Sequence, residues 1–124
     1  MLKLLLTLSL ISFTGFIRAA VDPELVHAAE QGDANAQFNL GLKHFKGEEI
    51  PKDVKEAMKW YWLAAEQGLA EAQLHVGFIY DQGDGVPKDD KEAMKWYRLA
   101  AEQGLAEAQL NVGVMYTEEN SVPK

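Results

Sequence analysis

The sequence contains no cysteine and very few hydroxyl side chains outside its first 20 residues. Without cysteine, the chain forms no disulfide bond and offers no thiolate to a metal ion or a substrate. Residues 21–124 contain one serine, Ser121, and one threonine, Thr117, both close to the C-terminus. A Ser–His or Cys–His nucleophile pair is therefore not expected. This composition argues against an enzyme, and neither a catalytic residue nor a cofactor is expected.

The chain carries more acidic than basic side chains. It has 19 aspartates and glutamates against 12 lysines and arginines, with a formal net charge of −7. The acidic residues are spread along the chain rather than gathered in a tail. Because this charge repels a phosphate backbone, no nucleic-acid partner is expected. The charge instead favours solubility and basic protein partners.

The first 20 residues differ from the rest of the sequence. Lys3 precedes an apolar run from Leu4 to Ile17, and small residues follow at Ala19 and Ala20. This pattern predicts a signal peptide over residues 1–20, cleaved after Ala19 or Ala20. An uncleaved anchor is the alternative, but a run of 14 residues is short for a membrane span. We therefore expect an exported protein, periplasmic or secreted, with no stable membrane span after cleavage.

The remaining sequence has a period of 36 residues. Residues 53–80 and 89–116 are identical at 23 of 28 aligned positions. A period of this length is typical of helix–turn–helix units, which stack because none of them buries a core alone. The positions that carry the period are Gly32, Gly68 and Gly104; Ala36, Ala72 and Ala108; Gly41, Gly77 and Gly113; and Pro51, Pro87 and Pro123.

Each unit is predicted to be an antiparallel helical hairpin. Asp53 with Glu56 resembles a capping box, and Gly68 suits a left-handed C-cap, so a helix of about 14 residues lies between them. A partner helix is predicted from about Ala70 to Tyr80. Gly77 lies inside that helix, where glycine costs about 1 kcal/mol relative to alanine. Its recurrence in every unit indicates that two helices approach closely there.

The aromatic pairs Trp60-Tyr61 and Trp96-Tyr97 allow two interpretations. They are either an aromatic binding ladder or part of the core between helices. The core is favoured because Tyr61 shares one helix face with small alanines.

The three histidines do not form a metal site in the sequence. His27, His44 and His75 lack the spacing of metal ligands and do not recur with the repeat. His75 stands where the other units have Asn39 and Asn111, so a polar surface position is expected for it. No metal site is predicted.

The strings AQLHVGFIYDQGDGVPKD (Ala72–Asp89) and KEAMKWYRLAAEQGLAEAQ (Lys91–Gln109) resemble the Sel-1-like repeat, a longer-turn relative of the tetratricopeptide repeat. The likeness covers Ala34–Lys124, while Val21–Gly32 resembles the end of a preceding second helix. The resemblance implies an all-α fold, a right-handed α/α solenoid of about two and a half repeats. It also implies a non-enzymatic adaptor in protein complexes, of a type that many bacteria export.

On this basis we expect five segments. They are a signal peptide (1–20), a partial capping helix (21–33), two repeats (34–68 and 69–104) and a truncated third repeat (105–124). The third repeat loses both turn glycines, and the sequence stops before its next helix is due. A fragment, a truncated reading frame or an end covered by another chain would explain this, and truncation is favoured.

The likeness to tetratricopeptide repeats implies a binding surface on the first helix of each unit. Positions one residue after and three residues before the conserved glycine line the concave face, flanked by a polar residue. An apolar stripe of this kind is suited to a peptide or a helix, although a short stack also buries part of it. The expected site residues are Asn35, Phe38, Leu42, Glu71, Leu74, Phe78, Glu107, Leu110 and Val114.

The expected function is an exported scaffold that binds a protein or peptide on this face, without a small-molecule substrate. Two alternatives remain: a cell-wall-directed or β-lactam-binding hydrolase-like member of the family, and a secreted factor that acts on host proteins. The β-lactam activity linked to cysteine-rich relatives is not carried over, because this sequence lacks their cysteines.

Overall fold

A computed structural model describes the backbone of residues 21–121 and the side chains of residues 21–119. The predicted signal peptide over residues 1–20 lies outside this part of the chain. Within it, the backbone forms six α-helices and no strand, which confirms the all-α class. The helices are α1 (Pro23–Glu30), α2 (Ala34–Lys46), α3 (Val54–Glu66), α4 (Ala70–Gln82), α5 (Asp90–Glu102) and α6 (Ala106–Ser121).

Each helix packs against the next one along the chain. Helices α2 and α3 form one hairpin and α4 and α5 form a second, while α1 and α6 each supply half of a hairpin at the two ends. The predicted repeat solenoid is therefore confirmed. The helix predicted between Asp53 and Gly68 is α3, whose 13 residues agree with the expected length of about 14, whereas α4 continues two residues beyond the predicted end at Tyr80 to Gln82.

Short-range hydrogen bonds set where the helices begin and end. The Asp53 carboxylate accepts from the backbone N–H of Glu56 at 3.0 Å, and Asp89 accepts from that of Glu92 at 3.1 Å. These bonds satisfy backbone donors that the first helical turn leaves free. Gly68 follows the end of α3 with φ at 93°, a conformation that glycine adopts without strain.

The core lies between successive helices and is rich in aromatic rings. Tyr61 and Tyr97 are fully buried, and Trp60 and Trp96 are nearly so. The prediction that these residues belong to the core is therefore confirmed.

A recurring glycine lets each tyrosine ring pack onto the backbone of the paired helix. A Cβ atom on Gly41 would lie 2.6 Å from Cδ1 of Tyr61, and one on Gly77 would lie 2.6 Å from Cδ1 of Tyr97. Real Cβ atoms do not approach other atoms so closely, so these helices need glycine at both positions. The packing reason inferred from the sequence is thus present in the structure.

Burial changes the acid–base behaviour of the two tyrosines. It raises the pKa of both hydroxyl groups, and the carboxylates of Asp81 and Glu107 raise the pKa of Tyr97 further. The Tyr97 hydroxyl donates to Oδ2 of Asp81 at 3.3 Å. The hydroxyl of Tyr61 is buried and has no hydrogen-bond partner in the described part of the chain.

We expect the contribution of these two tyrosines to the free energy of unfolding to be constant near neutral pH and to fall above about pH 10, the pKa of an unperturbed tyrosine. There the unfolded chain releases its phenolic protons while the folded protein retains them. Each buried tyrosine therefore lowers stability by up to about 1.4 kcal/mol per pH unit. Urea unfolding across the alkaline range measures the slope. Tyr61→Phe is expected to reduce it, and an unchanged slope in this variant would contradict the assignment.

Glutamine side chains join three successive helices of the stack. Nε2 of Gln67 donates to the backbone oxygen of Gly32 and to Oε1 of Gln37, both at 2.8 Å. Gln37 is itself buried, and its Nε2 donates to the backbone oxygen of Ala29 at 3.1 Å. The buried side chain of Gln37 on α2 thus bonds to α1 through its amide nitrogen and to the end of α3 through its amide oxygen.

The same arrangement occurs one repeat later. Nε2 of Gln103 donates to the backbone oxygen of Gly68 at 2.8 Å and to Oε1 of Gln73 at 2.9 Å. Nε2 of Gln73 in turn donates to the backbone oxygen of Ala65 at 3.2 Å. We call these four glutamines, Gln37, Gln67, Gln73 and Gln103, the glutamine ladder. It links the two helices of each hairpin to one another and to the preceding helix.

Candidate functional site

Helices α2, α4 and α6 lie side by side and present one continuous surface, which we call the first-helix surface. The ring of Phe38 on α2 lies edge-on to that of His75 on α4, with 5.1 Å between centroids. Further along, Phe45 and Phe78 meet edge-on at 6.5 Å. The surface therefore has an aromatic centre that is built from two different hairpins.

A cavity of about 180 Å³ opens on this surface where the three helices come together. Aromatic rings form one side of it, and polar side chains from α6 form the other. This volume suits a single side chain of a bound segment. The lining residues are Phe45, Leu74, His75, Phe78, Glu107 and Asn111.

The predicted site residues on α2 and α4 differ in their accessibility. Phe38 and Leu42 are half-buried, and Glu71 is exposed at the first turn of α4. Phe78 is 41% exposed and forms the wall of the cavity. Asn35, at the start of α2, is exposed but does not line this cavity.

Leu74 is not an open groove residue, because α5, the partner helix of its own hairpin, covers it. It is 6% exposed and packs in a core cluster with Ala93, Tyr97 and Ala100. Its counterpart one repeat later, Leu110, is 66% exposed. The position therefore belongs to the contact between the two helices of a hairpin. The stack itself buries part of the stripe, which is the alternative that the sequence left open. The exposure of Leu110 reflects the lack of a covering helix among residues 21–121.

The remaining predicted residues lie on α6. Glu107 is exposed in the first turn and lines the cavity, and Val114 is 45% exposed. With Glu71, Glu107 gives the rim of the surface a negative charge.

Sequence reasoning missed Phe45 and misjudged His75. Phe45 lies seven residues after Phe38 on the same helix face, but the other repeats have Asp81 and Thr117 there, so comparison of the repeats hides it. The ring of His75 is half-buried and lies 5.1 Å from that of Phe38, so it is not merely a polar surface residue.

The orientation of His75 is set by its own helix. Its Nδ1 lies 2.8 Å from the backbone oxygen of Glu71, and a carbonyl oxygen accepts, so this nitrogen carries a proton. The ring also lies 5.1 Å from that of Tyr61. His75 thereby connects the buried core to the aromatic centre of the surface.

Two further properties bear on function. Among the described residues, no group of three or more histidine, aspartate or glutamate side chains is placed to hold a metal ion. No helix within residues 21–121 combines the length and the apolar character needed to cross a membrane.

Comparison with known families identifies the repeat unit. The family model described as the Sel1 repeat matches residues 34–69, 70–105 and 106–124. A short stretch of 38 residues is 48% identical to the secretory immunoglobulin A-binding protein EsiB of Escherichia coli. That match covers 31% of this chain and 8% of EsiB, so it spans a small part of the relative.

Solved structures of Sel1 repeat proteins share the architecture. The protective antigen c5321 of uropathogenic Escherichia coli superimposes with a TM-score of 0.76 at 46% identity, covering 80% of this chain and 21% of c5321. A Sel1 repeat protein from Oxalobacter formigenes superimposes with a TM-score of 0.70 at 36% identity, covering 77% of this chain and 72% of that protein. Cysteine-rich protein B of Helicobacter pylori superimposes with a TM-score of 0.65 at 26% identity, covering 71% of this chain and 70% of that protein. With three matched repeats and the same hairpin stack, the chain belongs to the Sel1 repeat family.

Proposed function

We propose that this chain is an exported, non-enzymatic scaffold that binds a peptide or protein segment on the first-helix surface. Sel1 repeat proteins are generally protein-interaction scaffolds. One observation carries the choice of surface: aromatic side chains of α2 and α4 meet between hairpins and wall a cavity that α6 completes. The packed rings hold this shape before a partner arrives, which lowers the entropic cost of binding.

The chemistry of the surface supports one kind of partner segment. The aromatic wall formed by Phe45 and Phe78 accepts an apolar side chain, or the aliphatic stem of a lysine or arginine. The carboxylates of Glu71 and Glu107 lie on the rim, where they attract a positive charge. The expected partner segment therefore carries an apolar residue next to a basic one.

We expect Phe78→Ala to weaken peptide binding by about tenfold or more, because truncation of a central aromatic anchor removes much of the binding energy. Peptides selected from a displayed random library supply the ligands, and titration calorimetry gives their affinities. Leu63→Ala is the matched control, since Leu63 is also exposed but lies on α3 in the other helix layer. Equal loss in both variants, or none in Phe78→Ala, would contradict the proposed surface.

A secreted factor acting on host proteins is a second candidate, supported by the likeness to EsiB. Because that relative is named for binding secretory immunoglobulin A, this antibody is a defined probe for the same assay. If this chain shares the interaction through the first-helix surface, antibody binding will be lost in Phe78→Ala and kept in Leu63→Ala. Antibody binding that survives Phe78→Ala would place the contact elsewhere.

Export is proposed on the pattern of residues 1–20, which the structure does not describe. Relatives named as a protective antigen and as an immunoglobulin A-binding protein are consistent with it. Cell fractionation with N-terminal sequencing is the direct test, and the expected first residue is Ala20 or Val21. A mature protein that retains Met1 would exclude cleavage.

A further inference from the structure

The described part of the chain has two ends that complement each other. It begins with α1, which aligns with the second half of α3 and α5, and it ends with α6, which is a first helix like α2 and α4. We propose that the outer face of α5 and α6 binds α1 of a second copy of this chain. Helix α6 of one copy and α1 of the next then form one further hairpin, and the copies stack head to tail.

The outer face of α5 and α6, which we call the end face, resembles the covered face of the preceding hairpin. Val76 is fully buried, whereas its counterpart Val112 is half-buried. Ile79 is also buried, whereas its counterpart Met115 is half-buried. These apolar side chains are therefore arranged for a neighbour that the described residues do not supply.

The open space beside Gly113 indicates which residue of a neighbouring copy packs against the end face. A Cβ atom on Gly77 would collide with the ring of Tyr97, but one on Gly113 would have no atom within 4 Å. The repeat register places Leu25 of α1 where the internal hairpins have Tyr61 and Tyr97. In the stack, Leu25 of the second copy therefore packs onto Gly113.

The glutamine ladder is also open at this end. By repeat equivalence, the backbone oxygen of Gly104 and Oε1 of Gln109 correspond to the acceptors that Gln67 and Gln103 use. No side chain within residues 21–119 donates to either of them. The donor required is a glutamine at the end of a second helix, and Gln31 occupies that position after α1, where it is exposed. Gln31 of a second copy thus continues the ladder.

A change of residue type at the interface adds charge complementarity. Between the internal hairpins, the rings of Trp62 and Trp96 lie 5.1 Å apart. At the proposed interface, Arg98 stands in the place of Trp62 and Glu24 in the place of Trp96. An aromatic pair is thus replaced by an ion pair between two exposed side chains.

The surroundings of Arg98 leave room for this contact. It lines a groove of about 730 Å³ on the end face, together with three lysines and three carboxylates. Within its own chain Arg98 contacts the neutral ring and hydroxyl of Tyr116. Because this interface joins two different faces, every stack has a free α1 at one end and a free end face at the other. Further copies can therefore add at both ends, and the stacks lengthen as the protein concentration rises.

Analytical ultracentrifugation of the purified chain tests the proposal. The average mass of the wild type is expected to rise with protein concentration. Glu24→Arg alone and Arg98→Glu alone each place like charges at every interface, and each is expected to weaken association by at least about tenfold at low salt. Circular dichroism of both variants confirms that they fold.

Mixing the two variants is the decisive measurement. Every contact between unlike copies then pairs opposite charges, because position 24 of the Glu24→Arg variant meets position 98 of the Arg98→Glu variant, and the native Glu24 of the latter meets the native Arg98 of the former. Association is therefore expected to be restored in the mixture. A mixture that stays dissociated would overturn the proposal, and so would single variants that associate normally.

Gly113→Leu is an independent variant at the same interface. This variant is expected to fold because the space at Gly113 is open. The introduced leucine side chain fills the space that Leu25 of the second copy would occupy, so it abolishes stacking. Sedimentation of this variant should give the mass of one chain at every concentration. A wild type that stays monomeric, or a Gly113→Leu variant that stacks as the wild type does, would contradict the proposed contact.

Discussion

Tyr97→Ala is expected to lower the free energy of unfolding by about 3–5 kcal/mol, the usual cost of removing a large buried aromatic ring. Tyr97 is fully buried, and its ring packs on the backbone of α4 at Gly77. The substitution leaves a cavity between α4 and α5 that neither helix can close without losing its other contacts. A loss of this size is comparable to the whole stability of a small domain, so the second hairpin should be largely unfolded.

Urea unfolding followed by circular dichroism measures this loss, and the fluorescence of the neighbouring Trp96 reports on the second hairpin. Tyr97→Phe is the matched control. It keeps the ring and removes the hydrogen bond to Asp81, which is worth about 1 kcal/mol. If the alanine variant were no less stable than the phenylalanine variant, the ring would not be the main contact between these helices.

A single substitution made at two equivalent glycines is expected to have opposite effects. Gly77→Ala should destabilise the protein by about 1–3 kcal/mol, because its Cβ atom would lie 2.6 Å from the Tyr97 ring and 3.2 Å from the backbone oxygen of Ala93. Gly113→Ala should stabilise it by up to about 1 kcal/mol, because alanine is the better helix former and the space there is open. The local sequence around both positions is nearly the same, so only the tertiary neighbour differs.

Thermal and urea unfolding of both alanine variants, measured at low protein concentration to avoid self-association, give the two values. Gly41→Ala serves as an internal replicate, since its Cβ atom would meet Tyr61 at the same 2.6 Å. Equal effects at Gly77 and Gly113 would mean that helix propensity alone decides the outcome.

The helices were predictable because their signals are local. The cap at Asp53 acts over three residues, and Gly68 ends α3 through its own backbone conformation. The core role of Tyr61 also followed from the sequence, since its helix face carries small alanines that allow close packing. In each case the cause lies within one or two helical turns of the residue concerned.

The candidate site was less predictable because exposure depends on the helices that pack against each position. Leu74 and Leu110 occupy equivalent positions in near-identical segments, yet one is buried and the other exposed. Phe45 on α2 contacts Phe78 on α4, and residue spacing within either helix does not reveal this contact. The polar bond between Gln37 and Gln67 links residues 30 positions apart and has no local signature.

The order of amino acids was enough to establish a stack of Sel1-type helical hairpins, because a 36-residue period, helix caps and apolar spacing act over short stretches of chain. The packing of the hairpins was needed to establish which positions of the apolar stripe stay accessible, where a cavity forms, and that the end face is uncovered within the described residues. Burial arises when helices from different repeats come together, and near-identical repeats acquire different surfaces according to the neighbour that each one has.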